Sequence, residues 1–158
     1  MAYQDLREFF NRLEEEQELV HVKQEVDWNL EAGAIIRRAS ETESPAPLFE
    51  KIKGYPKGVR LAGAIVATHK RLAIALGLPP NASFPDMMDA YDKGLTSPIK
   101  PRIVKTGPCK ENIITGGDVN LYMLPAPMLH DGDGGRYIST WHFVAIKDPD
   151  TGWQNCGM

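Results

Sequence analysis

A change of character near Leu95 limits this chain more than any other feature. Before it, short amphipathic runs alternate with β-branched runs. After it, Pro98, Pro101 and Pro108, with Thr96, Ser97, Thr106 and Gly107, form a stretch that can sustain neither a helix interior nor a central strand. A segment of this kind runs extended across a surface, so the chain divides into one unit that closes before it and another that begins after it. We place the division at residues 1–105 and 106–158.

The first unit reads as mixed α and β. Leu6, Phe9, Phe10 and Leu13 fall at i, i+3, i+4 and i+7, with Arg7, Glu8, Arg12 and Glu14–Glu16 on the other side. That is the pattern of an amphipathic helix, opened by Asp5 with Glu8 in a variant of the capping box. Leu19–Lys23 is a short β-branched strand. Asp27 or Asn29 can cap a second helix from Leu30 to about Thr42, which Ser44-Pro45 stops. Leu48–Ile52 and Val59–Val66 read as strands around the turn Gly54-Tyr55-Pro56-Lys57-Gly58. Thr68–Leu76 is a helix closed by Gly77 and Pro79-Pro80, and Ser83 with Asp86 opens a further helix through Tyr91, with Gly94 at its end. Without a regular βαβ repeat the fold class is α+β rather than doubly wound.

In the second unit Tyr137–Lys147 reads as a long strand, Asp148-Pro149-Asp150-Thr151-Gly152 as a turn, and Trp153 onward as the returning strand. A lone hairpin is marginal, so this unit reads as all-β and incomplete. The chain stops at Cys156-Gly157-Met158 without a polar tail, and the expectation is a cut within a larger protein.

Composition removes several function classes. A folded chain of 158 residues buries roughly 70% of its unfolded surface, so it needs neither disulfides nor metal for a core. With 18 Lys+Arg against 21 Asp+Glu it lacks the basic excess of a nucleic-acid binder. The longest early run free of charge and proline, Leu61–His69, is under half a membrane span, and no apolar signal core follows Met1. Cys109 and Cys156 form no CxxC and read as reduced thiols. The expected setting is cytoplasmic, with no membrane and no nucleic-acid partner.

Few residues advertise chemistry on their own. His130-Asp131-Gly132-Asp133-Gly134-Gly135 resembles the opening of a calcium loop but lacks its bidentate Glu, and it lacks the Lys-Ser/Thr of a phosphate loop, so a tight turn is the simpler reading. His21, His69, His130 and His142 show no zinc spacing. His142 reads as a core or interface histidine, Glu14–Glu16 as a solvated face, and Met87, Met88, Met123 and Met128 as packing residues. Asn155 reads as an edge or turn residue.

Whole segments nevertheless resemble one family. Asp5–Phe10, Glu14-Glu15, Glu18–Val20, Glu25–Asp27, Ala34-Ile35 with Arg37-Arg38, Pro47–Phe49 and Lys53-Gly54 are similar to the opening of the UbiD-type decarboxylases, which use prenylated flavin mononucleotide. Thr106–Asn112, Leu124–Pro127 and Asp131–Ile138 resemble the ferulic/cinnamic acid decarboxylase branch. The resemblance implies a longer protein with an N-terminal α/β domain, a split β-barrel that binds flavin and a C-terminal domain that drives dimerisation. This chain would supply the first domain and the first strands of the second.

The implied function is reversible, non-oxidative decarboxylation of an aromatic or α,β-unsaturated carboxylic acid. The implied cofactors are prenylated FMN, manganese and potassium, with a flavin prenyltransferase as supplier. By the same resemblance Asn155 matches an Asn whose amide oxygen helps hold manganese. Cys156, Gly157 and Met158 match positions whose backbone lines the flavin phosphate, and the carbonyl after the Asn helps hold potassium. The catalytic residues, an Arg two positions past Met158 and acid/base Glu residues, are expected outside the chain, so the chain alone is expected to be inactive. Cys156 stands where relatives often carry an aromatic residue, and Trp141-His142 where they carry less bulky pairs. Two other readings compete: a non-catalytic accessory or truncated subunit, and an ordinary split-barrel flavin reductase, which leaves the long N-terminal unit unexplained.

Overall fold

The computed structural model describes residues 3–99, 102–138 and 144–157, except for the side chain of Cys156. The order is α1 (Leu6–Glu15), β1 (Leu19–Val26), α2 (Glu31–Glu41), β2 (Ala46–Ile52), β3 (Leu61–Ala62), α3 (His69–Ala75), α4 (Phe84–Thr96), β4 (Val144–Lys147) and β5 (Gln154–Gly157). Among the described residues, single 3₁₀ turns lie between α4 and β4 at Pro108–Lys110, Gly116–Asp118 and Leu121–Met123. Strands β1 and β2 are parallel with α2 as their crossover, and β3 adds antiparallel to β2. One βαβ unit with an antiparallel addition is an α+β arrangement, as the sequence pattern predicts.

The central strand β2 is buried on both faces, which its run Ala46-Pro47-Leu48-Phe49 requires. Leu48 packs with Phe9 and Leu13 of α1, Leu19 of β1 and Ile74 of α3. Phe49 faces the other way, into Val26, Ile52 and Ala32 of α2. The sheet is thus sandwiched between α1 with α3 and α2. Phe9 and Leu13 are buried as their spacing predicts, whereas Leu6 lies more than half exposed at the helix start.

Helix starts and stops follow side-chain and main-chain chemistry in different proportions. Asp5 caps α1 by accepting from the amides of Arg7 and Glu8, and Glu8 accepts from Gln4 N–H. Ser83 and Asp86 form a full capping box on α4, and Thr68 caps α3 by accepting from Arg71 N–H. The expected cap of α2 by Asp27 or Asn29 does not form. Leu30 takes the cap position at φ +69°, while Asp27 accepts from Asn29 N–H and pairs with Lys53 at 2.5 Å. Three helices end in the same motif. Gln17, Glu43 and Gly77 take left-handed φ of 60°, 52° and 73°, and the next amide in each case returns to the carbonyl three residues before the cap: Leu13, Ala39 and Ala73.

Other differences have local causes. Helix α4 runs past Tyr91 to Thr96 because Gly94 has open space around it and helical geometry, so it does not act as a stop. Strand β3 keeps only Leu61–Ala62, since Ala64 turns to φ +56° and ends the pairing. Of the expected Tyr137–Lys147 strand, Tyr137 and Ile138 are not in strand and Val144–Lys147 is; residues 139–143, including Trp141 and His142, lie outside the described residues. Among the described residues no helix is long and apolar enough to cross a membrane.

Candidate functional site

The hairpin that carries Asn155 is built from its turn outward. Asp148 accepts from the amides of Asp150 and Thr151, both at 2.8 Å, and these bonds hold its carboxyl below the usual carboxylate range. Gly152 adopts φ +72° and donates to Asp148 O, and Asp148 N–H donates to Trp153 O. The pairing that follows is antiparallel, with Lys147 opposite Gln154, Ile146 opposite Asn155, Ala145 opposite Cys156 and Val144 opposite Gly157. This is the turn and return that the Asp148–Gly152 chemistry predicts.

Asn155 is exposed, and its side chain makes no hydrogen bond among the described residues. A Cβ built on Gly157 would lie 3.6 Å from Asn155 Nδ2, so the two residues share one face of β5. A neutral amide oxygen free of internal partners can serve as one ligand to a hard cation beside an anion, because it adds no charge. The donor set fits that role for one position of a coordination sphere only. Among the described residues no three His, Cys, Asp or Glu side chains gather to hold an ion. Cys156 is in strand and Met158 lies outside the described residues.

The Gly/Asp segment before the hairpin is a turn. His130 N–H donates to the Asp133 carboxylate, Asp133 N–H donates to His130 O, and Gly132 takes φ +99°. Among the described residues neither Asp belongs to a group of three His, Cys, Asp or Glu side chains that could hold an ion. The Glu14–Glu16 run is a solvated face, exposed at Glu14 and Glu15 and half-buried at Glu16, whose carboxylates all have partners. Glu14 pairs with His21, and Glu15 and Glu16 both pair with Arg12. Of the four methionines read as packing residues, Met87 is buried and Met128 half-buried, whereas Met88 and Met123 are exposed.

One set of contacts has no counterpart in the sequence reading. The segment Leu124–Leu129 docks on the start of α2: Leu30 N–H donates to Met128 O at 2.9 Å and Met128 N–H donates to Trp28 O at 3.0 Å. Gly33 lets it approach, for a Cβ there would sit 2.3 Å from Leu129 O. Arg136 closes over this crossing. Its Nε donates to Ala126 O at 2.6 Å, its Nη2 donates to Tyr55 Oη, and its guanidinium lies 4.0 Å from the centre of the Trp28 ring. Tyr55 Oη in turn donates to Leu124 O at 3.0 Å. The contributing residues are scattered from Trp28 to Arg136, so no periodicity signals them.

Comparison with known proteins places this architecture. Residues 10–91 match the 3-octaprenyl-4-hydroxybenzoate carboxy-lyase N-terminal domain, and residues 102–158 match the Rift-related domain of the same enzymes. The chain is 39% identical to pyrrole-2-carboxylic acid decarboxylase of Pseudomonas aeruginosa, over 96% of its own length and 32% of the relative's. It is 34% identical to ferulic acid decarboxylase 1 of Saccharomyces cerevisiae, with the same coverage. Among solved structures it superposes on an evolved dimeric form of the UbiD-class enzyme HmfF from Pelotomaculum thermopropionicum in complex with prFMN. The TM-score there is 0.81 at 29% identity, covering 98% of this chain and 34% of that one. The chain thus spans about a third of the length of the curated relatives it matches. With both domain matches in order along one chain, and an α+β unit leading into a β-hairpin as they require, the chain belongs to the UbiD family.

Proposed function

We propose that this chain supplies the N-terminal domain (1–105) and the opening of the flavin-binding barrel (106–158) of a reversible, non-oxidative decarboxylase of aromatic or α,β-unsaturated carboxylic acids. The observation that carries the reading is membership of the UbiD family along both segments, with relatives named for decarboxylating pyrrole-2-carboxylic and ferulic acids. The cofactor is prenylated FMN, made by a flavin prenyltransferase, and it supplies an electron sink for the pair left when carbon dioxide departs.

The chain's own part is to bind and orient. The Asn155 amide oxygen is one ligand to manganese, and the backbone of Cys156, Gly157 and Met158 lines the flavin phosphate, with the carbonyl of Cys156 toward potassium. Support comes from the amide of Asn155, exposed and without a partner among the described residues, and from Gly157, which has no side chain on that face. The two bonds that Asp148 accepts keep the hairpin end in place while a neighbouring site fills. The protein acts in the cytoplasm as a homo-oligomer when it carries the C-terminal domain of its relatives.

On this reading the 158 residues alone are inactive, since the Arg that meets the substrate carboxylate and the Glu that returns a proton lie past Met158. The test is turnover of cinnamic and hydroxybenzoic acids by the full-length protein and by residues 1–158, each reconstituted with prenylated FMN and manganese. Activity in the first and none in the second is expected, and turnover by the second overturns the reading. A non-catalytic accessory subunit is the competing reading. Sequencing the gene beyond Met158 separates the two, through an Arg two positions on and a downstream His and Glu.

A further inference from the structure

We propose that Arg136 is a positioning residue, a latch that makes Leu124–Arg136 part of the N-terminal body and fixes the point from which the chain leaves for the β4–β5 hairpin. The argument starts from what an extended crossing lacks. Leu121, Tyr122, Met123 and Leu124 are all exposed, and beyond single 3₁₀ turns the stretch has no regular structure to hold it. Its attachment therefore rests on a few specific contacts.

Those contacts converge on one side chain. The planar guanidinium of Arg136 donates sideways to Ala126 O and to Tyr55 Oη, and its face covers Trp28, with the rings of Tyr55 and Tyr122 at 5.8 and 5.5 Å. Trp28 and Tyr55 belong to the N-terminal unit, one just before α2 and the other in the turn after β2. Ala126 and Tyr122 belong to the crossing. A single group thus ties together both sides of the division drawn at residue 105. The stacked face and the two in-plane bonds are used at once, which a planar fork can do and a lysine ammonium cannot. Two main-chain bonds beneath it, Leu30 to Met128 and Met128 to Trp28, then form over a glycine that leaves room for them.

The consequence for function rests on the reading above. If Asn155 is a cofactor ligand, Arg136 acts on it through the chain, by fixing the point from which the chain leaves for the hairpin. Removing the latch frees that start without touching Asn155.

The experiment compares full-length protein with Arg136→Gln, Arg136→Lys and the milder Tyr55→Phe, reading amide hydrogen exchange by residue and retention of prenylated FMN and manganese after gel filtration. Exchange at the Leu30 and Met128 amides should rise about tenfold or more in Arg136→Gln, with β1 and β2 amides unchanged. Arg136→Lys should fail to rescue, and Tyr55→Phe should give a smaller rise at the same two amides. Flavin retention should fall as that exchange rises. A uniform rise across the sheet, no rise at Leu30 and Met128, or full rescue by lysine overturns the latch. Local opening with flavin and manganese retained overturns the positioning role. If wild-type protein binds no prenylated FMN at all, the functional reading fails, and the exchange data still decide the latch.

Discussion

Gly33→Ala should destabilise this protein although the substitution favours a helix. In an exposed helix interior, exchanging glycine for alanine stabilises by about 1 kcal/mol. Gly33 is inside α2, but its missing side chain faces Leu129, whose carbonyl oxygen, Cα and carbonyl carbon lie 2.3, 2.8 and 2.9 Å from the Cβ position. Ordinary contact begins at 3.4 Å, so the Leu129 backbone must retreat by about 1 Å. That shift pulls apart the two main-chain bonds at Met128, now 2.9 and 3.0 Å. At about 1 kcal/mol each they offset the propensity gain, and the net result is a loss of about 1 kcal/mol.

Gly94→Ala is the internal control. It too is helical, with nothing within 4 Å of its Cβ position, and it should gain 0.5–1 kcal/mol, or about that. Urea unfolding of the two variants beside the parent measures both, with the two free energies of opposite sign and about 2 kcal/mol apart. If Gly33→Ala stabilises as much as Gly94→Ala, the segment Leu124–Leu129 does not rest on α2 and the latch has nothing to hold.

Other expectations follow from groups away from the hairpin. Arg71 is fully buried, with Nη1 bonded to Glu18 and to Ser44 O and with Nε and Nη2 unpartnered among the described residues. Glu18→Ala leaves that charge uncompensated and should cost about 3 kcal/mol, while Arg71→Met should cost less, because Lys70 at 3.0 Å still pairs with Glu18; equal losses in denaturant melts would contradict this. The His21 ring bridges Glu50 at 2.6 Å and Glu14 at 2.7 Å, and these carboxylates, Glu50 foremost, raise its pKa above the ordinary 6.5. Its contribution is then complete below about pH 6.5 and fades as pH rises through the raised value, modestly because the group is a third exposed. His21→Gln should flatten the fall in stability as pH rises above about 6.5, and an unchanged slope would refute the bridge. Glu43→Gly, at a left-handed position, should stabilise by up to about 1 kcal/mol in the same melts, and a loss would show that its φ of 52° carries no strain.

What could be read from residue order was chemistry that acts over a few positions. The 3.6-residue spacing of Phe9 and Leu13, the Ser83–Asp86 box and Gly77 each satisfy local groups, and each lies where the pattern puts it. Helix ends at Gln17 and Glu43 use the geometry of Gly77 without its residue, so no glycine marks them. The cap of α2 was illegible for a different reason. Asp27 is drawn to Lys53, 26 positions on, and the helix start is closed by Met128, so tertiary partners decide what the local motif leaves open. The hairpin turn was legible from Asp148 to Gly152, but nothing about the spacing of Asn155 marks it as a ligand. The role proposed for it rests on the resemblance to the family, and Arg136 was hidden because its partners come together only in the fold.

The most direct test of the account is co-retention of metal and flavin at Asn155. Full-length protein and its Asn155→Ala variant are loaded anaerobically with prenylated FMN and manganese, passed through gel filtration, and analysed for both by absorbance and metal content. If the Asn155 amide oxygen is a ligand, the variant loses manganese and flavin together, with affinity down by about 10- to 100-fold and the unfolding free energy of the unloaded protein unchanged. If the variant keeps both at the parent's stoichiometry, Asn155 is an ordinary strand residue and the cofactor site lies elsewhere.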